Sequence, residues 1–260
     1  MKKTKLLANM LTACRPFWIP LADRLHLLPR RAQYNVSYKG QRFRARAGVG
    51  DFPVLNEIFL HQSYAAGISL LHQGAVVVDI GANIGAFSIA AAQAGAGVVH
   101  AFEPLPDNFA LLQENVHLNE YDSIIHPAQL AVAATSGSAV FHYNNNDAGG
   151  GTFFPSIHAA WRGGEKDIGV QQLPVQCIAL GEFFAQNKIT SCDLLKLDCE
   201  GAEHAIISTL GETAACIDAV IFEYHSDGKL DEILALLKGY GLKIFERAPH
   251  PYQVILAIRA

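Results

Sequence analysis

Several acidic residues in this chain stand where a nucleotide-like ligand would need them. Asp79 closes the apolar run AVVVDI and is followed at once by Gly81-Ala82-Asn83-Ile84-Gly85. Gly81 suits a tight turn after a strand and a close approach of backbone to ligand. Gly85 lets a helix begin close to that strand. The pattern is not GxGxxG, because the slot of the second glycine, which makes room for a pyrophosphate, holds the bulkier Asn83. A carboxylate at Asp79 is a poor neighbour for a phosphate and a good one for the ammonium of an amino-acid moiety. Glu103 ends the next apolar run, VVHAFE, 22 residues after Gly81. An acid there accepts hydrogen bonds from ribose hydroxyls, and Pro104 turns the chain sharply behind it. An amino acid, a ribose and no phosphate together describe S-adenosylmethionine. The expected cofactor-binding set is Asp79, Gly81, Ala82, Asn83, Gly85, Glu103, Pro104 and, at the next strand, Ala131.

A second group of acids follows the later runs LLKLD and AVIFEYH. Asp198 ends the first, with Glu200 and Glu203 in the turn behind it; Glu223 and His225 end the second. Methyl transfer from a sulfonium needs an acceptor atom held in line about 3 Å from the methyl carbon. An alcohol acceptor also needs help to lose its proton. Asp198 is expected to orient cofactor or acceptor, and His225 or Glu200 to take the proton. Alternatively, Asp198, Glu200 and Glu223 hold magnesium through oxygen ligands, an arrangement that no spacing secures, so no metal ligand is assigned. Structural roles compete with these: Glu203 at the positive end of a helix, Glu200 as a cap, and Lys196 paired with an acid in the sheet.

The elements that would position these residues alternate regularly. From Ala75 onward, strands AVVVDI, VVHAFE, IIHPAQLAV, LLKLD and AVIFEYH are separated by helices at AFSIAAAQAG, Asp107 to Asn119, and Ala202 to Leu210. A helix from Leu230 to Tyr240 leads to LKIFER and QVILAIR, whose short connection predicts an antiparallel pair. Continuous apolar strands suit a sheet buried on both faces. The expected fold class is α/β: a doubly wound, mostly parallel sheet of the class I methyltransferase (Rossmann-like) type with an antiparallel C-terminal edge. Before it, residues 34–47 read as a hairpin and Asp51 to Ala65 as a helix entered after Pro53. Residues 1–70 are thus an N-terminal helical segment, hairpin and helix packed on the domain of residues 71–260. Arg42, Arg44 and Arg46 alternate along one strand and share a face, a stripe that would suit a ring or an anionic group. Residues 144–169, rich in Gly and Asn with aromatics Phe153, Phe154 and Trp161, read as a substrate-facing lid, with a floppy surface insertion as the alternative.

With these residues in view, the chain resembles the FkbM family of S-adenosylmethionine-dependent methyltransferases. The resemblance rests on VVDIGANIGAFS, AFEPLPDNFALLQENVHLN, LLKLDCEGAEHAII and IFEYH, in that order, with KLDCEGAE the most distinctive stretch. It runs roughly from residue 40 to the C-terminus. It implies O-methyl transfer to hydroxyls of sugars, glycolipids, polyketides and similar small-molecule or glycan acceptors, without fixing the acceptor.

Composition narrows the field. The chain has 260 residues, 50% hydrophobic and 17% charged, with a net charge of -4. That excludes disorder and gives no general reason to bind nucleic acid, which rewards dense Lys and Arg. No run reaches the ~18 uninterrupted apolar residues of a membrane span. Five cysteines without a CxxC spacing argue for reduced thiols and a cytoplasmic protein. MKKTKLLANMLTAC resembles a lipoprotein signal, but Asn9 interrupts its short apolar run, and a helical segment packed on the domain or touching a partner is expected instead. Two further functions compete: a nicotinamide-dependent oxidoreductase, which lacks a Tyr-x-x-x-Lys pair here, and a non-catalytic cofactor-binding module. Oligomeric state is not readable from the sequence.

Overall fold

The structure is a computed structural model that describes residues 13–144, 147–153, 170–224, 228–247 and 253–260. It opens with a short strand β1 (Cys14–Arg15) and helix α1 (Trp18–Arg24), then a hairpin of β2 (Gln33–Tyr38) and β3 (Gln41–Arg46). Lys39 and Gly40, at φ 48° and 89°, form its two-residue turn, as the favoured hairpin geometry demands. Helix α2 (Asp51–Asn56) follows and runs into a π turn at Glu57–His61, then α3 (Ala65–Ile68). The sequence predicted entry after Pro53. Instead the helix starts at Asp51, and Pro53 sits in the first turn, where its missing N–H costs nothing.

The wound domain then builds β4 (Ala75–Ile80), α4 (Ala86–Gln93), β5 (Ala96–Phe102), α5 (Pro106–Leu118) and β6 (Ile125–Ala128). The predicted third strand IIHPAQLAV divides at this point. Leu130 donates to the carbonyl of Ala128, closing a tight turn, and β7 (Ala131–Ala133) leaves for a second sheet. That sheet, which the sequence reading did not find, also holds β8 (Gly137–Asn144), β9 (Asp147–Thr152) and β10 (Val170–Ala179), in the order β7-β10-β8-β9. Part of the expected lid is therefore an edge strand, while residues 154–169 lie outside the described residues. Helix α6 (Leu180–Asn187), β11 (Leu194–Leu197), α7 (Glu203–Ser208), β12 (Ala219–Glu223), α8 (Leu230–Gly239), β13 (Leu242–Arg247) and β14 (Val254–Arg259) complete the chain.

The main sheet runs β13-β14-β12-β11-β4-β5-β6. Its pairs are parallel except those of β14, which is antiparallel to both neighbours. The reversed strand is the C-terminal one, set one place in from the edge. The chain winds outward from β4 to β6, then returns to β11 on the other side of β4, so the switch point lies between β4 and β11. Apolar side chains fill both faces of the sheet. Among the described residues no helix is long and apolar enough to cross a membrane.

The N-terminal hairpin docks on α5 through the arginine stripe. Asn115 and Asn119 accept the N–H groups of Arg44 and Arg42 and donate to the carbonyls of the same residues. Two asparagines one helical turn apart thus cover the open edge of β3. Arg42 reaches Glu120, Arg44 reaches Glu114, and Arg46 reaches Asn108 and Asp51. The stripe is a seam between elements, not the ring- or anion-binding patch its spacing suggested. Arg46 and Asp51 are a buried pair at 2.9 Å. We expect Arg46→Ala to lower the unfolding free energy by about 3 kcal/mol or more, since it strands a buried carboxylate. Urea denaturation checks this, and a loss below about 1 kcal/mol would show that the seam carries little.

Candidate active site

The turn after β4 uses three left-handed residues, Gly81 (φ 78°), Asn83 (φ 51°) and Gly85 (φ 89°). A Cβ on Gly81 would stand 1.9 Å from the carbonyl oxygen of Asp198, so backbone meets backbone at the switch point. A Cβ on Gly85 would meet Leu112 of α5 at 2.7 Å. The amides in this turn are closed internally. Those of Gly81 and Ala82 donate to the carbonyl of Phe102, Asn83 to Glu103 Oε2, Ile84 to the Asn83 side chain, and Gly85 to the carbonyl of Ala82.

Glu103 is the clamp. Its nearly buried carboxylate accepts from the Asn83 and Leu105 amides at 2.9 Å and from Asn108 Nδ2 at 3.3 Å. Burial pushes its pKa up to about 7 against the lowering pull of those bonds. Asn108 also accepts from Arg46, which ties the N-terminal hairpin to this carboxylate. Gly81, Ala82, Asn83, Gly85, Glu103 and Pro104 therefore gather at the carboxyl ends of β4 and β5. Ala131 is buried at the start of the second sheet, paired with Cys177.

Asp79 lies deeper than its position suggested. It is 0% exposed, accepts from Ser88 Oγ at 2.6 Å, and faces Lys196 directly across the β4–β11 register. Lys196 Nζ stands 3.0 Å from Asp79 Oδ1 and 3.7 Å from Asp198 Oδ2, and donates to the carbonyl of Gly81 at 2.8 Å. Burial alone would depress the lysine's pKa. The two carboxylates outweigh it and hold the pKa above the ordinary lysine value. Asp198 is 28% exposed by side chain and is the solvent-facing member of this buried group.

Asp198 meets a residue the sequence reading missed. The hydroxyl of Tyr64, just before α3, lies 3.1 Å from Asp198 Oδ2 and 3.4 Å from Glu223 Oε2. A phenol has one proton, so the two carboxylates share one donor. Tyr64 is buried, packed edge-on against Phe87. Burial and the two acids raise its pKa well above the usual tyrosine value. No local spacing singles it out, because Asp198 lies 134 residues away.

Behind Asp198, Glu200 and Gly201 take left-handed backbone at φ 52° and 101°. Glu203 stabilises that turn by accepting the amides of Cys199 and Gly201 at 3.1 and 3.0 Å, a structural role different from the helix-end placement its position suggested. Glu200 is partly exposed, and its carbonyl accepts from Thr152 Oγ1 at 2.7 Å, linking strand β9 to the turn. The Cys199 thiol is pushed well above its usual pKa by burial, and all five cysteines are free thiols. His225 lies outside the described residues. Among the described residues no three His, Cys, Asp or Glu side chains converge to hold a metal ion.

A doubly wound, mostly parallel sheet with a closed glycine turn and acids at its strand ends is the architecture of a class I methyltransferase domain. The chain belongs to the FkbM family of methyltransferases: the Methyltransferase FkbM domain matches residues 79–244. It is thereby an S-adenosylmethionine-dependent methyltransferase. The chain is 29% identical over 220 residues to 31-O-demethyl-FK506 methyltransferase FkbM of Streptomyces tacrolimicus, covering 76% of this chain and 84% of that protein. It is 28% identical over 233 residues to methyltransferase sdnD of Sordaria araneosa, covering 79% and 89% respectively. Among solved structures, methyltransferase FkbM from Methylobacillus flagellatus KT is a distant likeness, with TM-score 0.46 and 14% identity over 73% of this chain and 45% of that one.

Gly81→Ala is expected to destabilise the fold by at least about 2 kcal/mol, because both the contact and the backbone region forbid a Cβ. Thermal unfolding of the variant checks this; an unchanged midpoint would mean that β4 and β11 can separate at the switch point.

Proposed function

We propose that this chain moves the methyl group of S-adenosylmethionine to a hydroxyl oxygen of a small-molecule or glycan acceptor. The observation that carries this reading is Asp198: a partly exposed carboxylate at the end of β11, held between Lys196 and Tyr64, against Gly81. The name of the Streptomyces relative, 31-O-demethyl-FK506 methyltransferase, supports oxygen as the acceptor atom.

The site fits the donor molecule. The amides of residues 81–85 are internally bonded, which leaves no cradle for a pyrophosphate there and disfavours a dinucleotide. Glu103, nearly buried with a pKa of about 7, is suited to accept ribose hydroxyls. Gly81, Ala82, Asn83, Gly85, Pro104 and Ala131 are assigned to shaping that pocket. Asp79 is assigned an indirect part, through Lys196, which fixes the carbonyl of Gly81.

The sulfonium supplies an electrophilic methyl group when bound. The chain must hold the acceptor oxygen in line with it and receive the hydroxyl proton. Asp198 orients the hydroxyl as a hydrogen-bond acceptor. Glu200, on the turn behind Asp198, or His225, two residues beyond Glu223, is the base that takes the proton. Tyr64 and Glu223 act as positioning residues that keep Asp198 aimed.

Asp198→Ala should cut turnover by at least about a hundredfold with fold and donor binding intact. Tyr64→Phe, which keeps the ring, should lower kcat by about tenfold and leave donor affinity unchanged. Wild-type turnover in Asp198→Ala with a verified acceptor would remove the assignment.

Glu103 sets a pH dependence. Its folded pKa lies above that of a free carboxylate, so its contribution to stability is full at acid pH and lost as pH rises through about 7. Ribose hydroxyls favour its ionised form, so donor binding near pH 6.5, within about half a unit of that pKa, should release protons, and affinity should rise toward pH 8. Calorimetry in buffers of different ionisation enthalpy reads this release. Glu103→Gln should abolish it, and an equal release in that variant would deny the ribose role.

A further inference from the structure

The most one-sided feature outside the site is the N-terminal segment. Seven of the 20 Lys and Arg residues, Lys2, Lys3, Lys5, Arg15, Arg24, Arg30 and Arg31, fall in the first 32 positions, where Asp23 is the only acid. The chain as a whole carries a net charge of -4. Asp23 is also turned inward, accepting the Gly48 amide at 2.6 Å. A charge asymmetry of this size marks a segment made to meet an anionic surface.

Apolar side chains are concentrated in the same place. Helix α1 buries Ile19 and Pro20, and Leu21 and Leu28 pack partly against the core. Outward, it leaves Phe17 39%, Trp18 51%, Leu25 58% and Leu27 70% exposed. These four are a majority of the seven large apolar side chains exposed among the described residues. The geometry that presents them is fixed. Leu27 N donates to the carbonyl of Ala22 and His26 N to that of Asp23, with His26 at φ 55°, which is a Schellman motif. In that motif the residue in the place of Leu27 commonly folds back onto its helix. Here it points outward instead. Arg15, Arg24 and Arg30 are exposed in the same segment, while Arg31 is paired with Asp107.

We propose that this segment docks the enzyme on an anionic lipid bilayer surface. Trp18, Phe17, Leu25 and Leu27 would enter the headgroup boundary, and the arginines would meet lipid phosphates. A tryptophan between apolar and charged groups suits that interface. A protein partner or second copy would cover the apolar group equally well but would leave the basic excess unused unless its own surface were strongly acidic.

The test uses the full chain with Trp161→Phe, which leaves Trp18 as the single tryptophan. Sedimentation is measured with vesicles of neutral phosphatidylcholine, and with the same lipid mixed with phosphatidylglycerol, at low and high salt. The expected result is co-sedimentation and a blue shift of Trp18 emission with the anionic vesicles only, weakened by salt. In the full chain with Trp161 retained, Trp18→Ser combined with Leu27→Ser should reduce the bound fraction by about tenfold, with circular dichroism unchanged. Failure to bind anionic vesicles, or undiminished binding by the double variant, overturns the proposal. Gel filtration in which that variant dissociates a lipid-indifferent dimer also overturns it, and assigns the surface to a second copy.

Discussion

Lys196 carries a charge at the centre of a sheet whose other members are almost all apolar. Its ammonium is tolerable there because Asp79 faces it across the strand pair and Asp198 stands at its outer side. A buried ion of this kind holds only when its geometry is satisfied from several directions. That requirement fixes the relative position of β4 and β11 at the switch point. It also fixes the carbonyls of Ile80 and Gly81, both of which accept from Lys196, and so the course of the turn that follows. With no Cβ, Gly81 allows the two backbones to approach closely enough for this contact. The remaining features of the site are arranged around this pair of strands.

Two connections extend outward from it. On one side the turn is closed by Glu103, which passes through Asn108 to Arg46 and the N-terminal hairpin. On the other, Asp198 passes through Tyr64 to Glu223 on β12. Residues before 70 reach both. The N-terminal extension is therefore tied to both strand ends, and the arginine–asparagine seam on α5 is what holds it in place. The buried carboxylates and phenol differ from an ordinary core in that each has a partner, which makes the cluster rigid and sensitive to single deletions.

Strand and helix order from Ala75 onward was legible because the strands are continuous apolar runs and the helices begin and end on Gly, Pro and Asp. Gly81, Gly85 and Glu103 were legible because a tight turn and a strand-end acid leave local marks. The second sheet was not, because β8 to β10 mix polar and apolar residues and β9 is half glycine, GGG within DAGGGT. Tyr64 left no mark of a role at the site, as it touches Asp198 only after the chain has wound through β4 to β11.

The sequence by itself determined the doubly wound class, the turn and the family, since these depend on periodicity and on residue types at short spacing. Tertiary structure decided which charge meets which. Asp79 could have faced a ligand or a lysine, and the β4–β11 register gave it Lys196. Arg42, Arg44 and Arg46 could have lined a pocket; the packing of α5 against the hairpin gave Arg42 and Arg44 the partners Glu120 and Glu114, while Arg46 took Asp51 at the start of α2 and Asn108 of α5. Apart from Arg46 and Asp51, five residues apart, these pairings depend on distances between elements far apart in the chain, about which local spacing carries no information.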